Sequence, residues 1–394
     1  MDWFWFFLFL AAKEEERRPY KRRHSRYQKR FHRALSDEAR QLRQRRIPRV
    51  SLHSVHCCAW RALFFSYNNQ ALITLTGFDH GTFEYVLGLF APIFNAYTPF
   101  GDVDIKVNPS GRKRKISAAD CLGLVLAWTR TRGSLMHLQM CFGMTMTNLA
   151  MYLRFGRRII VEILSRNKFA KIALPSPEKI EQYKTIIQSR YPLLEDVWTA
   201  MDGLKTPIQQ SGSSRKQSYF YNGWKHNHFV TSVFCFCPDG TIPIAHMNLP
   251  GATHDSTIAD WGGIYNKLQQ VYNENGGICC VDSAFRMRDA PYIIKSSQNN
   301  IVGVGDTTTA QRIDRLRKKQ ATSMRQCSEW GMRMIQSSFP RLCDKMQFEE
   351  KGERQIAIKM MVLLYNLRAC MVGINQIRNF FMPRLAIDAE EYML

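Results

Sequence analysis

Two short apolar runs in the second half of the chain, Val197-Trp-Thr-Ala-Met201 and Gly277-Ile-Cys-Cys-Val281, each stop at an aspartate. Runs of this length and composition read as strands buried in a sheet. An acid at the end of such a strand loses its hydration unless it is paired or bound to a cation. Side by side in one sheet, the two strand ends would put Asp202 and Asp282 at one edge. A third acid, Glu329, falls on a helix predicted from about Met324 to Ser337. Its neighbours are Cys327, Ser328, Trp330 and Gly331 rather than a run of surface charge.

Carboxylates that hold two cations a few ångströms apart are the usual means of cutting a phosphodiester. One ion activates water or a 3′-hydroxyl and the other stabilises the leaving oxygen. An all-oxygen donor set favours a divalent metal such as Mg²⁺ or Mn²⁺, two ions in all, over zinc. Singly, each acid reads equally well as a turn or cap residue. Together, in a chain with 55 Lys+Arg against 33 Asp+Glu and a net charge of +22, they point to a polyanionic substrate.

The 394 residues, 45% hydrophobic and 22% charged, suffice for two or three globular domains. Residues 1–50 read as a basic arm with a short apolar start. Trp3–Ala12 is too short to span a bilayer and reads as a docking helix, with a secretory signal the lesser alternative. Residues 13–49 carry 15 Lys/Arg against 5 Asp/Glu. Within them Lys21-Arg22-Arg23 reads as a phosphate grip or nuclear import signal, or simply as solvated charge. No segment is built to lie in or cross a membrane. The eleven cysteines show no zinc-module spacing, and the contiguous His53, His56, Cys57 and Cys58 suit a tetrahedral site poorly.

Residues 51–195 read as a helical domain, with a basic loop at Gly111–Lys115 and Ser117 capping a helix over 118–129. The segment 134–153, turning at Phe142-Gly143-Met144-Thr145, has the outline of a helix-turn-helix. An ordinary helix pair explains it equally well. Residues 196–394 then alternate: strands at Val197–Met201, Tyr219–Asn222, His228–Cys237 and Thr241–Asn248, with a hairpin turn at Pro238-Asp239-Gly240. A helix is expected over His254–Tyr272, a strand over 277–281 and a last long helix over Arg354–Asn379.

In order along the chain, several pieces resemble the nuclease domain of Harbinger-type (PIF/Harbinger) transposases and their domesticated relatives. They are Ala200-Met-Asp-Gly203, Tyr219-Phe-Tyr-Asn-Gly-Trp-Lys-His-Asn-His228, Pro238-Asp-Gly240 and Leu249-Pro-Gly-Ala-Thr-His-Asp-Ser256. Val281-Asp-Ser-Ala-Phe285, Met324-Arg-Gln-Cys-Ser-Glu-Trp-Gly331 and Leu364-Tyr-Asn-Leu367 complete the set. The resemblance implies an α+β or α/β fold. Its catalytic domain would be ribonuclease-H-like, a mixed sheet flanked by helices, preceded by the helical, helix-turn-helix-like domain. It also implies an Asp-Asp-Glu set of Asp202, Asp282 and Glu329, cutting of transposon ends in double-stranded DNA, nuclear location and a separate Myb-like partner protein. A homo-oligomer is compatible with it. The chain departs from the family at Ser283-Ala284-Phe285, where Gly-Tyr is usual, and at Trp330-Gly331-Met332-Arg333.

Asp255 matches a family motif as a fourth acid near the metals, and reads equally well as the N-cap of the helix that follows. Lys205, Arg215, Lys216, Lys225 and His226, with Arg286 and Arg288 after Asp282, are candidate phosphate contacts. Exposed turn charge is the plain alternative for each. The expectation is thus a metal-dependent endonuclease. The alternative is a domesticated, catalytically weak or inactive relative that acts as a DNA- or protein-binding factor.

Overall fold

The computed structural model describes residues 47–99, 114, 116–285, 290–295, 309–348 and 350–382. The chain divides at Leu52/His53 into two units. Of the first, only residues 47–52 are described, with a 3-10 turn at Arg49–Ser51. The apolar start, Lys21-Arg22-Arg23 and most of the 111–115 basic loop lie outside the described residues, as do Arg286 and Arg288.

The second unit begins with α1 (Ala59–Phe65), α2 (Asn69–Thr76), α3 (His80–Ala96), α4 (Ala118–Arg130), α5 (Met136–Phe142), α6 (Met146–Arg166) and α7 (Pro177–Arg190). Side-chain caps start most of these helices. Asn68, Asp79 and Ser176 each accept a backbone N–H of the first turn. Ser117 forms a full capping box with Asp120, as its position predicted. That acid also takes Arg61 at 2.8 Å and the Trp60 indole N–H at 3.2 Å, so a buried carboxylate ties α1 to α4. Gly143 ends α5 with φ +63°, and a Cβ there would stand 2.4 Å from the His53 carbonyl oxygen. The expected helix–turn–helix outline is present in α5–α6. The Leu149, Tyr152, Leu153, Ile159 and Ile160 face of α6 is spent in the core.

The rest of the unit is β1 (Val197–Pro207), α8 (Ser214–Phe220), β2 (Tyr221–Asn222), β3 (Asn227–Phe236), β4 (Ile244–Pro250), α9 (Asp255–Trp261), α10 (Ile264–Asn275), β5 (Ile278–Val281) and β6 (Ile293–Lys295). α11 (Thr309–Ser338), α12 (Lys351–Met371) and α13 (Gln376–Phe381) follow. β1 lies at the centre of a six-stranded mixed sheet. It runs antiparallel to β3 and parallel to β5, and β6 extends the sheet parallel to β5. β2 and β4 pair antiparallel with β3 on its other edge. The pleat sends alternate side chains to opposite faces, and a register irregularity between Val197 and Thr199 turns Trp198 to the face of Met201. Trp198 and Met201 join Tyr183, Ile258 and Leu268 of α7, α9 and α10, whereas Ala200 and Leu204 join α11, α12 and the earlier helices. A mixed sheet covered by helices on both faces is consistent with the ribonuclease-H-like expectation. α12 is apolar nearly all round because it is the core helix of that second layer, with Met360–Ala369 buried.

Several boundaries differ from the sequence reading. β1 does not stop at Met201: its ladder with β3 continues through Asp202↔Phe234 and Gly203↔Val233 to Pro207. Tyr219 and Phe220 end the short helix α8 and only Tyr221–Asn222 is strand, because just two residues find partners on β3. The helix expected over 254–272 is two, broken at Gly262–Gly263, where Gly263 has φ +62°. The last helix also breaks, after Met371, and Asn375 caps α13. In the other direction, α11 begins at Thr309 and absorbs the basic stretch 312–319. Its first turns are solvent-exposed and lack an apolar stripe, so periodicity does not reveal them.

Candidate active site

Met201 and Val281 are register partners on parallel neighbours, so Asp202 and Asp282 are the next residues of each strand. β5 ends there while β1 runs on against β3, which leaves Asp202 where its parallel neighbour gives out. Asp202 Oδ1 accepts the Gly203 N–H at 2.7 Å. Asp282 Oδ1 accepts the Ser283 N–H at 2.7 Å and the Ser283 hydroxyl at 3.3 Å. Each strand-end carboxylate is thus steered by the backbone of the residue that follows it.

Asp255 comes to the same place from the other side of the sheet. Gly203 has no side chain, and a Cβ there would lie 2.4 Å from Asp255 Oδ2. The glycine is therefore the space in which the carboxylate sits. The N-cap of α9 is His254, whose Nδ1 accepts the Ser256 N–H, so the alternative of Asp255 as the cap is one residue out. Asp255 is the first helical residue, where a carboxylate also meets the positive end of the helix.

Burial raises the Asp202 carboxyl to about 6, and Asp255 and Asp282 push it the same way against the Gly203 N–H and Arg325. Asp255 is raised as well, by burial first and then by Asp282, with Lys205, His254 and Lys225 opposing. Two buried carboxyls, each raised by burial and by a neighbouring acid, mark a site short of positive charge.

Glu329 lies across the site on α11 and lines the same cleft, of about 350 Å³, together with Asp202 and Asp255. Its carboxylate is held by Arg325, one turn earlier, at 2.8 Å, and the other terminal nitrogen of Arg325 stands 3.9 Å from Asp202 Oδ2. Among the described residues no three His, Cys, Asp or Glu side chains close on a common point as metal ligands. The donor chemistry nonetheless fits a hard divalent ion: every group is a carboxylate oxygen, and the two aspartates on the strands keep an oxygen free of the backbone. Glu329 is engaged by Arg325 instead.

Of the candidate phosphate contacts, Lys205 and Lys225 line the cleft. Arg215 and Lys216 lie exposed on α8 and His226 on the turn before β3, and none of the three lines it. Four further lining or bridging residues escaped the sequence reading: Arg325, Met332, Arg333 and Gln336. They stand at −4, +3, +4 and +7 from Glu329, the spacing that shares one helix face, and that spacing is the signal that could have found them.

No curated protein and no solved structure matches the chain significantly. Residues 201–366 match the model of the DDE superfamily endonuclease family. The matched segment starts beside Asp202 and ends within α12, taking in Asp255, Asp282 and Glu329, and it supports a DDE transposase-like family for this chain.

Proposed function

We propose that the protein is a divalent-metal-dependent DNA endonuclease of the transposase type, of the Harbinger subtype, acting in the nucleus on double-stranded transposon ends. A Myb-like partner protein and a homo-oligomer belong to the same proposal. The observation that carries it is the placement of Asp202 and Asp282 on adjacent parallel strands, with Asp255 and Glu329 facing the same cleft. Asp202, Asp282 and Glu329 would hold two Mg²⁺ or Mn²⁺ ions, with Asp255 beside them. Bound metal supplies activation of the attacking oxygen and stabilisation of the leaving one.

The chain's own groups do the rest. The sheet fixes Asp202 and Asp282 relative to each other, and the Gly203 and Ser283 N–H groups orient their carboxylates. Lys205, Lys225 and Arg333 line the cleft and neutralise a phosphate that enters it. Arg325, one turn before Glu329, adds a fourth positive group beside Asp202. End-labelled duplex incubated with Mg²⁺ should be cut to products with 3′-hydroxyl ends, and EDTA should stop the reaction.

A second reading, a domesticated relative that binds DNA or protein without cutting, is favoured by the Arg325–Glu329 ion pair, which fills the third acid's coordination. Duplex bound but left intact in both Mg²⁺ and Mn²⁺ would select it.

A further inference from the structure

Away from the acids, a second and larger cleft of about 950 Å³ opens between α6, α12 and the segment 341–347. Six cationic side chains line it against three carboxylates. One of those carboxylates, Glu353, is already taken by three arginines: Arg154 at 2.9 Å, Arg157 at 3.0 Å and Arg158 at 2.7 Å. The guanidiniums of Arg157 and Arg341 both lie over the Trp128 ring, at 4.9 and 5.2 Å from its centroid. A single carboxylate would suffice to tie α6 to α12. Three arginines around it, with two guanidiniums crowded on one ring, leave a surplus of partly desolvated positive charge. Burial, Arg154 and Arg341 all press the Arg157 guanidinium towards losing its proton, against the pull of Glu353 and Glu350.

We infer that this cleft is a second phosphate-binding site, which holds the backbone of the same DNA duplex several base pairs from the bond that is cut. The inference rests on the nuclease proposal and names where the rest of the substrate lies. Gln209, in the wall of the cleft, is seven residues beyond Asp202 on the continuation of β1, where its N–H donates to Met346. At the rise of a strand that is about 23 Å, or roughly seven base pairs of duplex at about 3.4 Å each. Both clefts border one apolar cluster, through Leu204 and Met332 at the acids and Leu153 and Ala357 here. Guanidinium forks suit phosphate oxygens in pairs.

The test is duplex binding by the full chain in EDTA, read by fluorescence anisotropy across a salt series. The proteins are the wild type, the double variants Arg154→Gln/Arg158→Gln and Arg154→Lys/Arg158→Lys, and Asp202→Asn. Arg157 remains to partner Glu353 in both double variants, and Arg154 is largely exposed, so the fold should survive; equal melting temperatures confirm it. The glutamine pair should bind at least about tenfold more weakly, and its log–log salt slope should flatten by about 2, since each lost phosphate contact contributes about 0.9. The lysine pair should keep most of the slope. Unchanged affinity and slope in the glutamine pair, with wild-type binding intact, overturns the inference and leaves the nuclease proposal standing. Loss of tripolyphosphate binding by that pair, with duplex affinity retained, also overturns it, in favour of a free polyphosphate site. Failure of the wild type to bind duplex at all sinks the nuclease proposal instead.

Discussion

Asp202 carries a desolvation cost that a proton or a bound cation relieves. Its carboxyl titrates at about 6 in the fold, against about 4 in an unfolded chain. Between those values the metal-free fold binds the proton more tightly, so stability is greatest when the group is protonated and falls as pH rises through 6. In EDTA the melting temperature should drop between about pH 4 and pH 6, and Asp202→Asn should flatten that drop. The magnitude is on the order of 1–3 kcal/mol. A wild-type profile that rises over this window would contradict the buried-acid geometry. Arg325 is the resident counter-charge, at 2.8 Å from Glu329 and 3.9 Å from Asp202. Arg325→Gln should therefore free Glu329 and tighten Mn²⁺ binding several-fold in calorimetric titration. Unaltered or weaker binding would mean that Arg325 does not compete with the metal.

At the scale of elements, the approach of α9 to β1 depends on a single missing side chain. Gly203→Ala would put a methyl 2.4 Å from Asp255 Oδ2, inside a ladder that β3 holds straight. Expected are a loss of about 1–3 kcal/mol from overpacking and a loss of metal-dependent cutting out of proportion to it. Wild-type cutting by this variant would remove Asp255 from the site. The α6–α12 contact hangs on Glu353, and Glu353→Gln leaves three guanidiniums facing each other. Part of that charge is exposed, so about 2–4 kcal/mol of lost stability is expected, measured by denaturant titration. The two strands that lead into Asp202 and Asp282 were legible because short runs of β-branched, aromatic and cysteine residues have the composition of buried strands. The extension of β1 past Asp202 was not, since Gly203, Lys205 and Pro207 carry the composition of a turn and only pairing with β3 keeps them extended. The start of α11 was equally hidden. Its exposed turns hold together through i,i+4 pairs such as Asp314–Lys318, which leave no apolar period to read. Arg325 carries no mark of its own in the sequence: its pairing with Glu329 follows only from their one-turn spacing on a single helix.

Across the whole molecule, a net charge of +22 outweighs any single contact. Duplex affinity should fall steeply with salt, with a log–log slope of about −4 or steeper if five or more phosphates are neutralised. A flat response would argue against a nucleic-acid substrate of any kind. Two features of the fold converge on that substrate: a cleft lined by Asp202, Asp255 and Glu329, with Asp282 at the end of the neighbouring strand, and a second cleft lined by arginines. The most direct test of the central claim is the nicking of supercoiled plasmid by the wild type and by Asp282→Ala, in Mg²⁺, in Mn²⁺ and in EDTA. Nicking by the wild type alone, and only with metal, is the expected result and ties cutting to the paired strand ends. Equal nicking by Asp282→Ala, or nicking that persists in EDTA, would contradict the assignment of Asp202, Asp282 and Glu329 as the groups that hold the catalytic ions.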